Sequence, residues 1–178
     1  PNVPHGEDVT NKLDKGLLDR LYYISEKFRS KRIRNIPVII KLSTDTNVSL
    51  IPELIDVLSN GKFDGVNFGN TSTDYNNFKN FCNDKDVKNF NYFSNIFGGG
   101  LSGKFLKEKS FNLCKTANEY ISNKSLDREF HIIRTGGIED FNDILESKQI
   151  GVNLNQWFTS YFEMFARNGH KLYKVLFE

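Results

Sequence analysis

The chain has 178 residues, with 24 Lys and Arg against 22 Asp and Glu, for a net charge of +2. That length holds the core of one domain, and the near balance of charge, with no long basic run, excludes a nucleic-acid or polyanion surface. No apolar run reaches the roughly 18 residues of a membrane span, and Cys82 and Cys114 have no metal-ligand or disulfide-framework spacing. Reduced thiols in a reducing compartment are the expectation. No signal-peptide pattern opens the chain, and its first residue is Pro1, so it is expected to begin inside something longer.

In chain order, a rigid non-helical loop comes first, Pro1-Asn2-Val3-Pro4-His5-Gly6. A helix is predicted next, where Leu13, Leu17, Leu21, Ile24 and Phe28 recur at three- and four-residue steps. Residues 36–42 form the first apolar run. A second amphipathic helix carries Ile51, Leu54, Ile55 and Leu58, with Gly61 placed to end it. Residues 63–69 are the second run. From Thr71 to Phe97 the chain is polar, Asn-rich and aromatic with no clear period, which predicts an active-site lid or an insertion. Its Tyr and Phe side chains argue for packing against something rather than disorder.

A third stripe follows in Phe111, Cys114, Ala117, Tyr120 and Ile121. The third apolar run, residues 130–134, leads into Thr135-Gly136-Gly137. Ile144 and Leu145 mark a short helix after Asp140. Residues 151–157 make the fourth run, and Tyr161, Phe165, Leu172, Tyr173 and Leu176 line the last helix. The first and third runs are β-branched and hydrophobic on both faces, as buried parallel strands require. Strand alternating with helix means βαβ units in one α/β domain with a parallel sheet, and no linker divides it.

The polar residues of interest fall at the ends of these strands. Lys41 closes a strand that is otherwise apolar, where it can meet an anion or extend to solvent. Asn70-Thr71-Ser72 offers paired donors and acceptors suited to a planar, amide-like edge, and also makes an ordinary polar turn. Gly98-Gly99-Gly100-Leu101-Ser102-Gly103 opens the third helix without P-loop spacing, so by itself it is a flexible loop or a close approach to a ligand. Gly136-Gly137 and Phe158-Thr159 end the last two strands, positions that suit phosphate or a tight strand-to-helix turn. His5, alone in a turn, reads as structural or solvated.

Taken in order, these segments resemble dihydroorotate dehydrogenase over essentially the whole chain. Pro1-Asn2-Val3-Pro4 looks like the loop after the fourth barrel strand, and residues 38–45 like the fifth strand with its flavin-contacting Lys, here Lys41. Asn70-Thr71-Ser72 is similar to the substrate-holding motif. Residues 99–103, Gly-Gly-Leu-Ser-Gly, are the most specific match. Thr135-Gly136-Gly137-Ile138 resembles the seventh-strand phosphate loop and residues 151–159 the eighth strand.

The resemblance implies the C-terminal half, strands five to eight, of a TIM (β/α)₈ barrel, whose usual length is about 250 residues. It further implies oxidation of dihydroorotate to orotate with FMN as cofactor. Lys41, Gly69, Gly103, Gly137, Phe158 and Thr159 would hold the cofactor, and Asn2, Asn70 and Thr71 the substrate. The catalytic base, a Ser or Cys, would lie just before Pro1, and no metal is implied. Expected partners are dihydroorotate or orotate, an electron acceptor, the N-terminal half of the barrel and, as a further option, a second copy of the chain.

Val3 is typical of the soluble, Cys-based class, whereas Asn-Thr-Ser and the Gly-rich loop lean towards the quinone-linked class. Location follows the class: cytoplasmic, or peripheral on an inner membrane when quinone-linked. Two other functions fit a chain of this kind, a non-catalytic or differently specific barrel paralogue and a half-barrel interaction module.

Overall fold

A computed structural model describes residues 12–31 and 33–177. Helix α1 spans Lys15–Lys31 and strand β1 Ile39–Ser43, followed by α2, Ile51–Asn60, and β2, Gly65–Asn70. Two helices, α3 (Tyr75–Lys79) and α4 (Asp84–Phe97), precede α5, Lys107–Lys124. Then come β3 (His131–Thr135), α6 (Phe141–Gln149), β4 (Leu154–Gln156), α7 (Thr159–Asn168) and α8 (Leu172–Phe177).

The four strands form one sheet in the order β1-β2-β3-β4, and every pair is parallel. Each strand lies beside its predecessor, so right-handed crossovers bring successive helices to the same face. A doubly wound sheet would instead reverse its strand order and cover both faces. The arrangement is an arc of a (β/α)₈ barrel, four of its βα units, as the sequence implies.

Alternation along each strand then separates two environments. Outward, Leu42, Val66, Phe68 and Ile132 join Ile51, Leu54, Ile55 and Leu58 of α2 and Leu113, Cys114 and Ala117 of α5 in one core. Burying each large side chain there contributes about 1.5–3 kcal/mol. Burial pushes the Cys114 thiol up to about 12, against the opposing charge of Arg134, so this cysteine is an inert packing group. Inward, Lys41, Asn67, Ile133 and Leu154 share one level of the sheet through the parallel register.

Four details depart from the periodicity. In α1, Leu21 is buried but Ile24 and Phe28 are exposed; Ser25 takes the inward place and donates to the Gly61 carbonyl at 2.6 Å. The aperiodic stretch after Thr71 is two helices, and no residue of α4 is buried. Its Tyr92, Phe93 and Phe97 rings touch one another and remain more than half exposed. The last helix breaks at Gly169, whose φ of +54° ends α7, and Leu172 and Leu176 anchor α8 separately.

The buried face of α6 is polar, formed by Asp143 and Ser147 and not by Leu145. The cause is Arg134, which is fully buried on the outward face of β3. Its guanidinium donates to Ser147 Oγ at 2.9 Å, to Ser110 Oγ at 3.2 Å and to the Asp143 and Lys107 carbonyls, both at 3.2 Å. Burial lowers the Arg134 pKa, partly offset by Cys114 and Asp143. Asp143 also completes the capping box of α6 with Asp140 and pairs with Lys107 at 2.5 Å. Burial alone would raise the Asp143 pKa, but Lys107 and the Glu139 and Asp140 amides together hold it below the ordinary value.

Candidate active site at the strand ends

The C-terminal ends of parallel strands point into a cleft of about 880 Å³. Pockets of about 300–1,000 Å³ are the usual size for cofactors and small ligands, and in βα barrels this end of the sheet carries the chemistry. Lys41, Gly69, Asn70, Thr71, Gly103, Gly137, Phe158 and Thr159 all line it. Asn2, the remaining predicted site residue, and His5 lie outside the described residues. A second cavity, about 730 Å³ between Phe81, Phe105, Phe111 and Glu146, opens on the helix side and contains none of these positions.

Each wall of the cleft has a local cause. Lys41 is exposed on the inward face of β1, beside Asn67 in register. Among the described residues no carboxylate pairs with it. Gly69 lets β2 and β3 approach, because a Cβ there would sit 2.0 Å from Thr135 Cβ. Gly137 has φ +74°, and its missing Cβ would sit 2.3 Å from Lys107 Cα at the start of α5. A larger residue would therefore be strained in backbone and would displace that helix. Ser110 fixes the same loop by donating to the Gly136 carbonyl at 2.7 Å.

The Gly-rich loop is tied at two adjacent residues, Leu101 and Ser102. Ser72 and Leu101 form an antiparallel bridge, with N–H···O distances of 3.1 and 2.7 Å. At the next residue, the Ser102 hydroxyl lies 2.9 Å from that of Thr159. The α3–α4 excursion thus leaves and returns at one point, and its base borders the cleft.

Several residues in the cleft or beneath it were not singled out by the sequence. Gln156 Oε1 accepts from Asn67 Nδ2 at 2.9 Å and from Thr135 Oγ1 at 3.2 Å, which orients its amide on the inward face. Asn67 is 5% exposed and its Oδ1 has no hydrogen-bond partner among the described residues. An orphaned buried acceptor costs about 1–3 kcal/mol unless a donor reaches it. Beneath the Asn70 loop, Asp45 accepts from Ser72 Oγ at 2.5 Å and from Thr73 N at 2.8 Å. Lys109 reaches Asp45 at 2.7 Å and Asp74 at 3.0 Å. Burial would lower the Lys109 pKa, and those two carboxylates more than reverse the effect, leaving it raised.

A parallel βα arc with a cleft at its strand ends, Lys41 at one wall and glycine loops at the others is the arrangement in which βα barrels place their ligand sites. The family model for dihydroorotate dehydrogenase matches residues 1–172. The chain belongs to the dihydroorotate dehydrogenase family.

The quinone dihydroorotate dehydrogenase of Buchnera aphidicola is 31% identical over 146 residues, covering 81% of this chain and 38% of that one. The mitochondrial quinone enzyme of Schizosaccharomyces pombe is 30% identical over 161 residues, 90% of this chain and 32% of its own length. The chain therefore spans roughly a third to two-fifths of these relatives. Among solved structures, the Eimeria tenella enzyme in complex with ferulenol superposes with a TM-score of 0.55 at 17% identity. It covers 90% of this chain and 44% of the Eimeria chain, a likeness of fold.

Proposed function

We propose that residues 1–178 are the C-terminal part of a single FMN-binding barrel domain that oxidises dihydroorotate to orotate in pyrimidine synthesis. The observation that carries this reading is the convergence of eight residues, spread from Lys41 to Thr159, on one strand-end cleft. The fit to a flavin nucleotide rests on three features of that cleft. They are an ammonium with no carboxylate partner among the described residues, glycine loops at the positions expected for a phosphate, and, in the strand beneath, a buried Asn67 amide oxygen with no donor among those residues.

Bound FMN supplies a hydride acceptor. Lys41 presents positive charge on the inward face, where it stabilises negative charge that develops on a neighbouring group. Gly69 and Gly103 allow close approach of a planar ring, and Gly137, Phe158 and Thr159 hold the phosphate end. Asn70 and Thr71 hold the substrate's amide edge, and Asn2 joins them from the opening loop. The Ser or Cys that removes the substrate proton comes from the segment before Pro1, so the fragment alone is inactive.

Relatives named for quinone support a quinone as the electron acceptor, and with it a peripheral position on an inner membrane. Among the described residues no helix is long and apolar enough to cross a membrane. The complete protein purified with its N-terminal half is expected to show a flavin absorbance band. Lys41→Ala is expected to lose FMN or to slow flavin reduction by orders of magnitude. Unchanged FMN content together with an unchanged reduction rate would refute the assignment.

A further inference from the structure

The backbone from Asn70 to Thr73 is held from below by three consecutive residues, the last of β1 and the first two of the loop after it. Thr44 N donates to the Asn70 carbonyl at 3.2 Å, and Ser43 Oγ donates to the Thr71 carbonyl at 3.2 Å. Asp45 closes the set, accepting from Ser72 Oγ and Thr73 N through separate carboxylate oxygens. Ser72 is fully buried, and the Asp45 side chain is only 14% exposed. A carboxylate this enclosed needs a counter-charge, and Lys109 supplies it from the first turns of α5. Through the Ser72–Leu101 bridge the same aspartate also holds the middle of the Gly-rich loop.

We propose that Asp45, with Lys109 as its counter-ion, is a positioning residue for the Asn70–Thr71 edge of the cleft. The inference rests on the reading of that edge as the place where substrate binds. Asp45 is absent from the residues that line the cleft, so its effect on the cleft passes through the loop. Displacing a hydrogen-bonding edge by even an ångström weakens what it binds, while groups on the opposite walls keep their places. Removing the carboxylate should therefore weaken substrate binding selectively and leave the cofactor bound.

The test uses the complete FMN-loaded protein and follows orotate binding through the flavin spectrum, together with steady-state kinetics on dihydroorotate. Asp45→Ala is expected to raise the orotate Kd and the KM about ten-fold, the scale of one lost buried hydrogen bond. FMN content should stay at the parent level, and kcat within about three-fold, a split that follows from weakened binding alone. Lys109→Met should raise KM several-fold and Lys109→Arg should restore it, since Arg also delivers a cation to Asp45. If Asp45→Ala does not fold, Asp45→Asn takes its place; it keeps an acceptor but removes the charge that Lys109 balances.

Parent-like KM in both the Asp45 and Lys109→Met variants overturns the inference. So does a loss of FMN in step with the rise in KM, which marks general unfolding of the cleft. Asn70→Ala serves as the control on the underlying reading. Weakened orotate binding in Asn70→Ala beside parent-like binding in Asp45→Ala removes only the positioning role. Parent-like binding in Asn70→Ala itself removes the substrate edge and the inference with it.

Discussion

On the helix-covered face of the sheet, Val66, Phe68 and Arg134 are fully buried, and every polar atom of the Arg134 guanidinium region meets a serine or a carbonyl. On the opposite face, Lys41 and Gln156 are exposed, Leu154 is 43% exposed, and Asn67 Oδ1 has no partner among the described residues. Both faces belong to the same four strands, and their side chains alternate from one to the other. The covered face is complete in this chain because its helices are supplied by its own crossovers. The inward face is complete only when the remaining strands of a barrel close over it, and its upper level is where the ligands would sit. On the proposed reading, stability and function are divided between alternate residues of each strand.

The comparison breaks most visibly if residues 1–178 stand alone. An open inward face forfeits hydrophobic stabilisation of about 25 cal/mol per Å², against a total stability of only about 5–15 kcal/mol. The isolated chain is expected to be molten or associated and to bind FMN poorly, and the N-terminal half is expected to restore a compact flavoprotein. Sedimentation and thermal unfolding decide it: a monomer with a sharp transition would mean that the inward face needs no cover.

A second, smaller effect tests the covered face. In the complete protein, Phe68→Ala should cost about 3–5 kcal/mol in denaturant unfolding, because the cavity lies in a core with no room to collapse. A cost below about 1 kcal/mol would show that the outward core is loosely packed.

The third test sharpens the division between the faces. Leu154 is half open here, so Leu154→Ala ought to be nearly neutral if the inward face stays solvated. With the barrel closed, the same substitution should cost about 2–3 kcal/mol, toward the lower end of buried leucine truncations. Equilibrium unfolding of the complete variant separates these outcomes, and a neutral result would count against closure over β4.

Much of this was legible in the residues. The four apolar runs are the four strands, and the stripes through Leu54 and Leu58 and through Cys114 and Ala117 are the two helices that cover them. The glycine loops at Gly103 and Gly137 were found by composition and order. Other features were not visible. Arg134 ends an apolar run and reads as a strand boundary, yet it is buried because Ser110 and the Lys107 carbonyl of α5 and Ser147 and the Asp143 carbonyl of α6 receive it. Asp45 and Lys109, 64 positions apart, carry no shared motif. The aromatics of α4 suggested packing against something, and within the described residues they pack on one another.

What the sequence by itself determined is local: where strands and helices alternate, which faces of α2 and α5 are apolar, and which residues with ligand-binding chemistry stand at strand ends. Hydrophobic periodicity and turn residues act over a few positions, so they can be read without knowing the fold. The tertiary structure decided which strand lies beside which, that all crossovers fall on one face, and that Lys41, Asn70, Gly103, Gly137 and Thr159 meet around one cleft. Those outcomes depend on contacts between residues far apart in the chain, where crossover handedness and burial choose among arrangements that local pattern leaves equal.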